Sequence, residues 1–122
     1  ALLAATLQLR QEPRIFFAGQ ISGVEGYVES IATGLAAGRH AAAVACGEQP
    51  RPFPRETALG SLCAYVSGAE REDFQPANIT FDLLPPLDDV TAQKLRRDKR
   101  ARHGEVCRRA LQKLEEYLEV HV

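Results

Sequence analysis

An apolar run, Ile15 to Ala18, stops at Gly19 and gives way to a helix-like pattern after Gly23 and Gly26. The segment FFAGQISGVEGYVES therefore predicts a strand, a glycine turn and a helix start in succession. A run of β-formers and small residues suits a strand buried on both faces, as in a parallel sheet, and the three glycines remove side chains where a ligand would need close approach. Strand, glycine turn and helix together are a ligand signal, although the spacing is not that of the usual dinucleotide fingerprint. An ordinary strand-to-helix connection explains the same residues, so both readings stay open here.

A parallel strand needs neighbours, and few other runs in these 122 residues can supply them. The absence of methionine, together with the missing neighbours, points to a soluble fragment whose further strands lie in sequence not shown. No charged-then-apolar leader or membrane-length apolar run is present. Cys46, Cys63 and Cys107 are far apart and lack ligand spacing, which predicts packed thiols, a reduced cytoplasmic setting and no metal site.

Residues Ala1 to Gln11 read as a short strand around Thr6–Leu9, separated by Pro13 from the run at Ile15. From Gly26 to Cys46 the chain reads as a long helix closed by Gly47. Ser30, Gly34, Gly38 and Ala42 form a ridge of little bulk on that helix, predicting close packing against a sheet or another helix. Pro50, Pro52 and Pro54 interrupt the chain before a second short helix from about Arg55 to Ser67 or Gly68. Residues 70–89, with Phe74, Phe81, Pro85 and Pro86, predict an extended, anchored crossing of a surface. The last element spans Thr91 to Glu119, with Val106, Ala110, Leu111, Leu114, Tyr117 and Leu118 on one face and a bend or break at Gly104. The organisation is thus 1–48, 49–89 and 90–122.

Between Lys94 and Lys113 nine basic residues face two acidic ones, Asp98 and Glu105, a local excess of seven positive charges in a chain of net charge −1. Lys94, Arg96, Arg97, Lys99, Arg100 and Arg102 are candidate phosphate contacts, and a solvated helix face is the alternative. Glu25 and Glu29 at the helix start favour its dipole and disfavour a phosphate there. The exposed N–H groups better suit the edge of a neutral, reducible ring, which points to a flavin. His40, His103 and His121 have no carboxylate or cysteine partner at catalytic spacing and read as surface or helix residues. No general base or nucleophile can be nominated.

FFAGQISGVEGYVES followed by ATGLAAGRHAA closely resembles the C-terminal part of the flavin- and folate-dependent tRNA (uracil-5-)-methyltransferases. LLAATLQLR, PRETALGSL, DFQPANITFDLLPPL and RDKRARHGEVCRRALQKLEEYL resemble consecutive blocks of that family, in order. A related flavoprotein family that modifies the wobble uridine of tRNA shares the phenylalanine-rich strand and GQI. It usually has threonines where Val24 and Glu25 stand here.

The resemblance implies an α/β fold: the C-terminal fragment of an FAD-binding, Rossmann-like domain of the two-dinucleotide-binding type, plus a helical C-terminal extension. It implies that Gly19, Gln20, Ile21, Gly23, Gly26, Tyr27 and Val28 lie against FAD. It also implies transfer of a one-carbon unit from 5,10-methylenetetrahydrofolate through reduced FAD to C5 of a T-loop uridine in tRNA, with NAD(P)H as reductant. The reactive cysteines of the family are expected upstream, and none is mapped onto Cys46, Cys63 or Cys107. An isolated 122-residue piece is expected to be inactive, and a non-catalytic fragment that binds RNA or a partner remains the alternative.

Overall fold

The computed structural model describes residues 2–68 and 75–121. A β-hairpin leads into a long helix, which is followed by three further helices and a proline-rich strap. Strands β1 (Gln8–Leu9) and β2 (Glu12–Phe16) pair antiparallel, with an irregular register between Gln8 and Leu9. The expected parallel strand buried on both faces is therefore not what these residues form. Buried Leu7 sits at φ 68° in the turn ahead of β1, β2 folds back on β1 through Arg10 and Gln11, and Ile15 is 45% exposed on the resulting hairpin. Pro13 lies inside β2 rather than ahead of it, a place open to proline at a sheet edge.

A 3-10 turn over Gly19–Ser22 connects the hairpin to helix α1 (Tyr27–Ala45). The helix ends as the sequence predicts: Gly47 has φ 77°, and the Gly47 and Glu48 amides donate to the Val44 and Ala43 carbonyls. Its packed face is not the predicted ridge. Thr33, Ala36, Ala37 and His40 are buried, whereas Gly34, Gly38 and Ala42 are exposed and a side chain at either glycine would meet nothing within 4 Å.

Helix α2 (Ala58–Gly68) begins three residues later than predicted, because Thr57 caps it: Thr57 Oγ1 accepts from the Gly60 amide at 2.9 Å and donates to the Pro54 carbonyl at 2.7 Å. The core joins Leu7, Val24, Ala36, Ala37, Phe53, Leu62, Cys63, Val66 and Tyr117. Phe53 and Tyr117 rings lie 4.6 Å apart, so the C-terminal helix closes over the body.

That last element is two helices, α3 (Asp89–Lys94) and α4 (Lys99–His121). The break falls at 95–98 and not at Gly104, which lies within α4. Asp side chains set both starts: Asp88 accepts from the Thr91 amide at 2.8 Å, and Asp98 from the Ala101 amide at 3.0 Å. Leu114, Tyr117 and Leu118 pack on the core as expected, but Leu111 is 68% exposed.

The strap is anchored, as its apolar, proline-broken composition predicts. Ala77 bridges to Val24 in parallel, Arg55 donates to the Leu83 carbonyl at 2.7 Å, and Arg109 donates to the Pro86 and Pro85 carbonyls at 2.9 and 2.5 Å. The part of that expectation resting on 70–74, Phe74 included, lies outside the described residues, as does the side chain of His121.

Candidate functional site

Three glycines shape the loop that opens α1. Gly19, Gly23 and Gly26 have φ of 73°, 110° and 99°, a region that side chains disfavour. At Gly26 the conformation is joined by crowding, since a Cβ there would lie 2.5 Å from Glu29 Oε1 and 2.8 Å from Asn78 Nδ2. The Gly19 amide donates to Thr33 Oγ1 at 2.9 Å, which ties the loop to the second turn of α1.

Gly23 is buried and its carbonyl accepts from Ala77, so its role is to hold the strap. Gln20, Ile21, Tyr27 and Val28 face outward, with Ile21, Tyr27 and Val28 exposed by 78%, 92% and 74%. The seven predicted residues thus form one contiguous loop and helix start. Its outer surface combines apolar side chains with the first amides of α1, which have no intrahelical acceptor.

Glu29 does more than favour the helix dipole. Its carboxylate accepts from Asn78 Nδ2 and from the Ile79 amide, each at 3.1 Å, and these bonds, that of Asn78 foremost, hold it below the usual glutamate range. With both partners engaged, this carboxylate is turned toward the strap.

The six predicted phosphate contacts divide. Lys94, Arg96, Arg97, Lys99 and Arg100 are exposed around the α3–α4 break. Arg102 instead turns back, donating to the Leu95 carbonyl at 3.3 Å and to the Arg96 carbonyl, and so braces that break. Further along α4, Arg108 pairs with Glu105 at 2.6 Å, and Arg109 grips the strap.

Two assignments made from local sequence change. His40 is buried, with Nδ1 2.9 Å from the Thr6 carbonyl and Nε2 3.0 Å from the Arg51 carbonyl. Carbonyls only accept, so a neutral ring satisfies one of these and the doubly protonated ring both. Nothing in the neighbouring sequence shows that fold-distant carbonyls flank this ring. Of the cysteines only Cys63 is packed, where burial pushes its thiol up to about 12, while Cys46 and Cys107 are exposed. Among the described residues no His, Cys, Asp or Glu group could hold a metal ion, and no helix is long and apolar enough to cross a membrane.

Residues 1–49 match the protein family described as glucose inhibited division protein A. The methylenetetrahydrofolate–tRNA-(uracil-5-)-methyltransferase TrmFO of Solibacter usitatus is 73% identical over 117 residues, 96% of this chain and 26% of that protein. Its counterparts in Koribacter versatilis and Heliobacterium modesticaldum are 56% and 51% identical over the same shares. The sequence matches a segment of that methyltransferase family. The resemblance read from the glycine turn is thereby borne out, and the chain spans about a quarter of the length of these relatives.

Proposed function

We propose that this chain is part of a flavoenzyme that methylates C5 of the T-loop uridine of tRNA, with 5,10-methylenetetrahydrofolate as one-carbon donor and NAD(P)H as reductant, in the cytoplasm. In this reading residues 1–48 complete an FAD-binding domain of the two-dinucleotide-binding type together with the remainder of that domain. Residues 49–89 connect, and residues 90–122 contribute the basic surface toward tRNA. The isolated chain is inactive.

The observation that carries the proposal is the glycine-shaped loop, with Ile21, Tyr27 and Val28 exposed at the start of α1. Its residues suit a flavin. Gln20 offers an amide to a sugar hydroxyl, Tyr27 and Val28 offer backbone N–H groups to a ring edge, and Gly19 and Gly26 keep the backbone close, while buried Gly23 ties the loop to the strap behind it. Bound there, FAD would supply redox chemistry that no side chain of this segment supplies. The chain's own part is to bind and orient the ring through these amides and to shield one side of it with apolar groups.

The test is the absorbance of the purified full-length protein. Flavin bands, release of FAD on unfolding, and reduced FAD retention in Gly19→Ala are the expected results, since alanine at φ 73° strains the loop. A colourless protein that takes up no FAD on titration would defeat the assignment. A second reading, in which the segment serves RNA binding without a cofactor, draws on the basic residues clustered at the α3–α4 break.

A further inference from the structure

The basic turn has an aromatic neighbour. Phe81, in a 3-10 turn of the strap (Phe81–Leu83), stacks on His103 of α4 with ring centroids 3.8 Å apart and planes 5° from parallel. His103 follows Lys99 and Arg100 by four and three residues, so each flanks it on the surface of α4, with roughly 5–6 Å between its Cβ atom and that of His103. The pair covers one face of the Phe81 ring, yet Phe81 is still 42% exposed.

This turn of the strap is also firmly held. Glu29 receives the Ile79 amide on one side of Phe81, and on the other Arg55 donates to the Leu83 carbonyl and Arg109 to those of Pro85 and Pro86. An aromatic ring fixed from two sides loses little freedom when a flat group stacks on it. The nearest acidic group on α4, Glu105, is engaged by Arg108.

We propose that Phe81, backed by His103, is a stacking platform for an unpaired nucleobase whose flanking phosphates lie on Lys99, Arg100, Arg96 and Arg97. The platform rests on the reading of the basic turn as an RNA surface and adds to it a preference. Phosphate contacts alone bind duplex and loop alike, whereas an open aromatic face rewards a base that is free to leave its stack.

The experiment uses the full-length protein with two RNAs of equal phosphate count, a blunt duplex and a stem-loop carrying 2-aminopurine in the loop. The wild-type protein is expected to bind the stem-loop more tightly and to quench its fluorescence. Phe81→Ala should lose on the order of tenfold in stem-loop affinity while its duplex affinity and salt slope stay unchanged. Phe81→Trp should retain the preference. Phe81→Leu, which keeps apolar bulk against His103, should behave as alanine does, separating lost stacking from lost folding. Equal stem-loop affinity in Phe81→Leu and wild type overturns the platform and leaves the RNA surface standing. Unchanged binding of both RNAs, across salt, by the combined Arg96→Ala, Arg97→Ala and Arg100→Ala variant overturns the RNA surface and the platform with it.

Discussion

The two candidate regions are built by different means. Around Gly19–Gly26 the surface is shaped by backbone conformation, with three glycines at positive φ and side chains left to face outward. Around Phe81–Arg109 it is shaped by charged side chains gripping carbonyls: Arg55 on Leu83, Arg102 on Leu95, and Arg109 on Pro85 and Pro86. The first kind of order resides in residue type, because only glycine enters those conformations cheaply. The second resides in long-range pairing, because an arginine that braces and an arginine that awaits a phosphate are the same letter.

The sharpest way to break the comparison is to change glycines that look alike in sequence. Gly60 is buried, and a Cβ there would run into the Pro54 backbone, so Gly60→Ala should cost about 3 kcal/mol. Gly34 lies in α1 with nothing within 4 Å of the place a methyl group would take, so Gly34→Ala should stabilise the chain by about 1 kcal/mol. Denaturant melts of the 122-residue chain measure both. If Gly34→Ala destabilises it, the exposed ridge is packed after all, as its small-residue spacing suggests.

These glycines also show what the sequence makes legible. The spacing of Gly34 and Gly38 predicts close packing, yet the packed face is the neighbouring one through Thr33, Ala36, Ala37 and His40. Spacing reveals a smooth ridge but not what lies across from it. The loop, the boundaries of α1 and the basic cluster are readable, since glycine conformation, helix stops and charge are local properties. The α3–α4 break is easily misplaced because Gly104 is a weak breaker beside a well-placed Asp98 cap. The roles of His40, Arg102 and Arg109 are not readable at all, as their partners are carbonyls brought near by the fold.

A smaller effect separates the braces from the solvated charges. Arg109→Ala should cost about 1.5 kcal/mol, since it frees two strap carbonyls from a charged donor. Its neighbour Arg108 faces solvent and pairs along its own helix with Glu105 and Gln112, so Arg108→Ala should leave the melt within error. Comparing the two melts decides the point, and equal losses would mean that the strap is not held by Arg109.

The smallest expected effect lies where the two regions meet, at Glu29. Asn78 and the Ile79 amide hold its carboxylate below the usual glutamate range, so the folded chain takes up that proton less readily than the unfolded one. The stabilisation is therefore complete above the ordinary glutamate pKa and is lost as pH falls through the lower folded value. Glu29→Gln keeps the shape and one accepting oxygen but removes the titration. Thermal melts between neutral pH and about pH 3 should accordingly show a slightly steeper loss for the wild type than for Glu29→Gln, concentrated below the ordinary glutamate pKa. The side chain is open to solvent, so the gap will be small and should shrink when salt is added. Parallel pH slopes would mean that the strap is held at 77–79 by the Ala77 backbone bonds and by the bond from Asn78 to the Glu25 carbonyl, and that the carboxylate is free to influence whatever docks on the glycine loop.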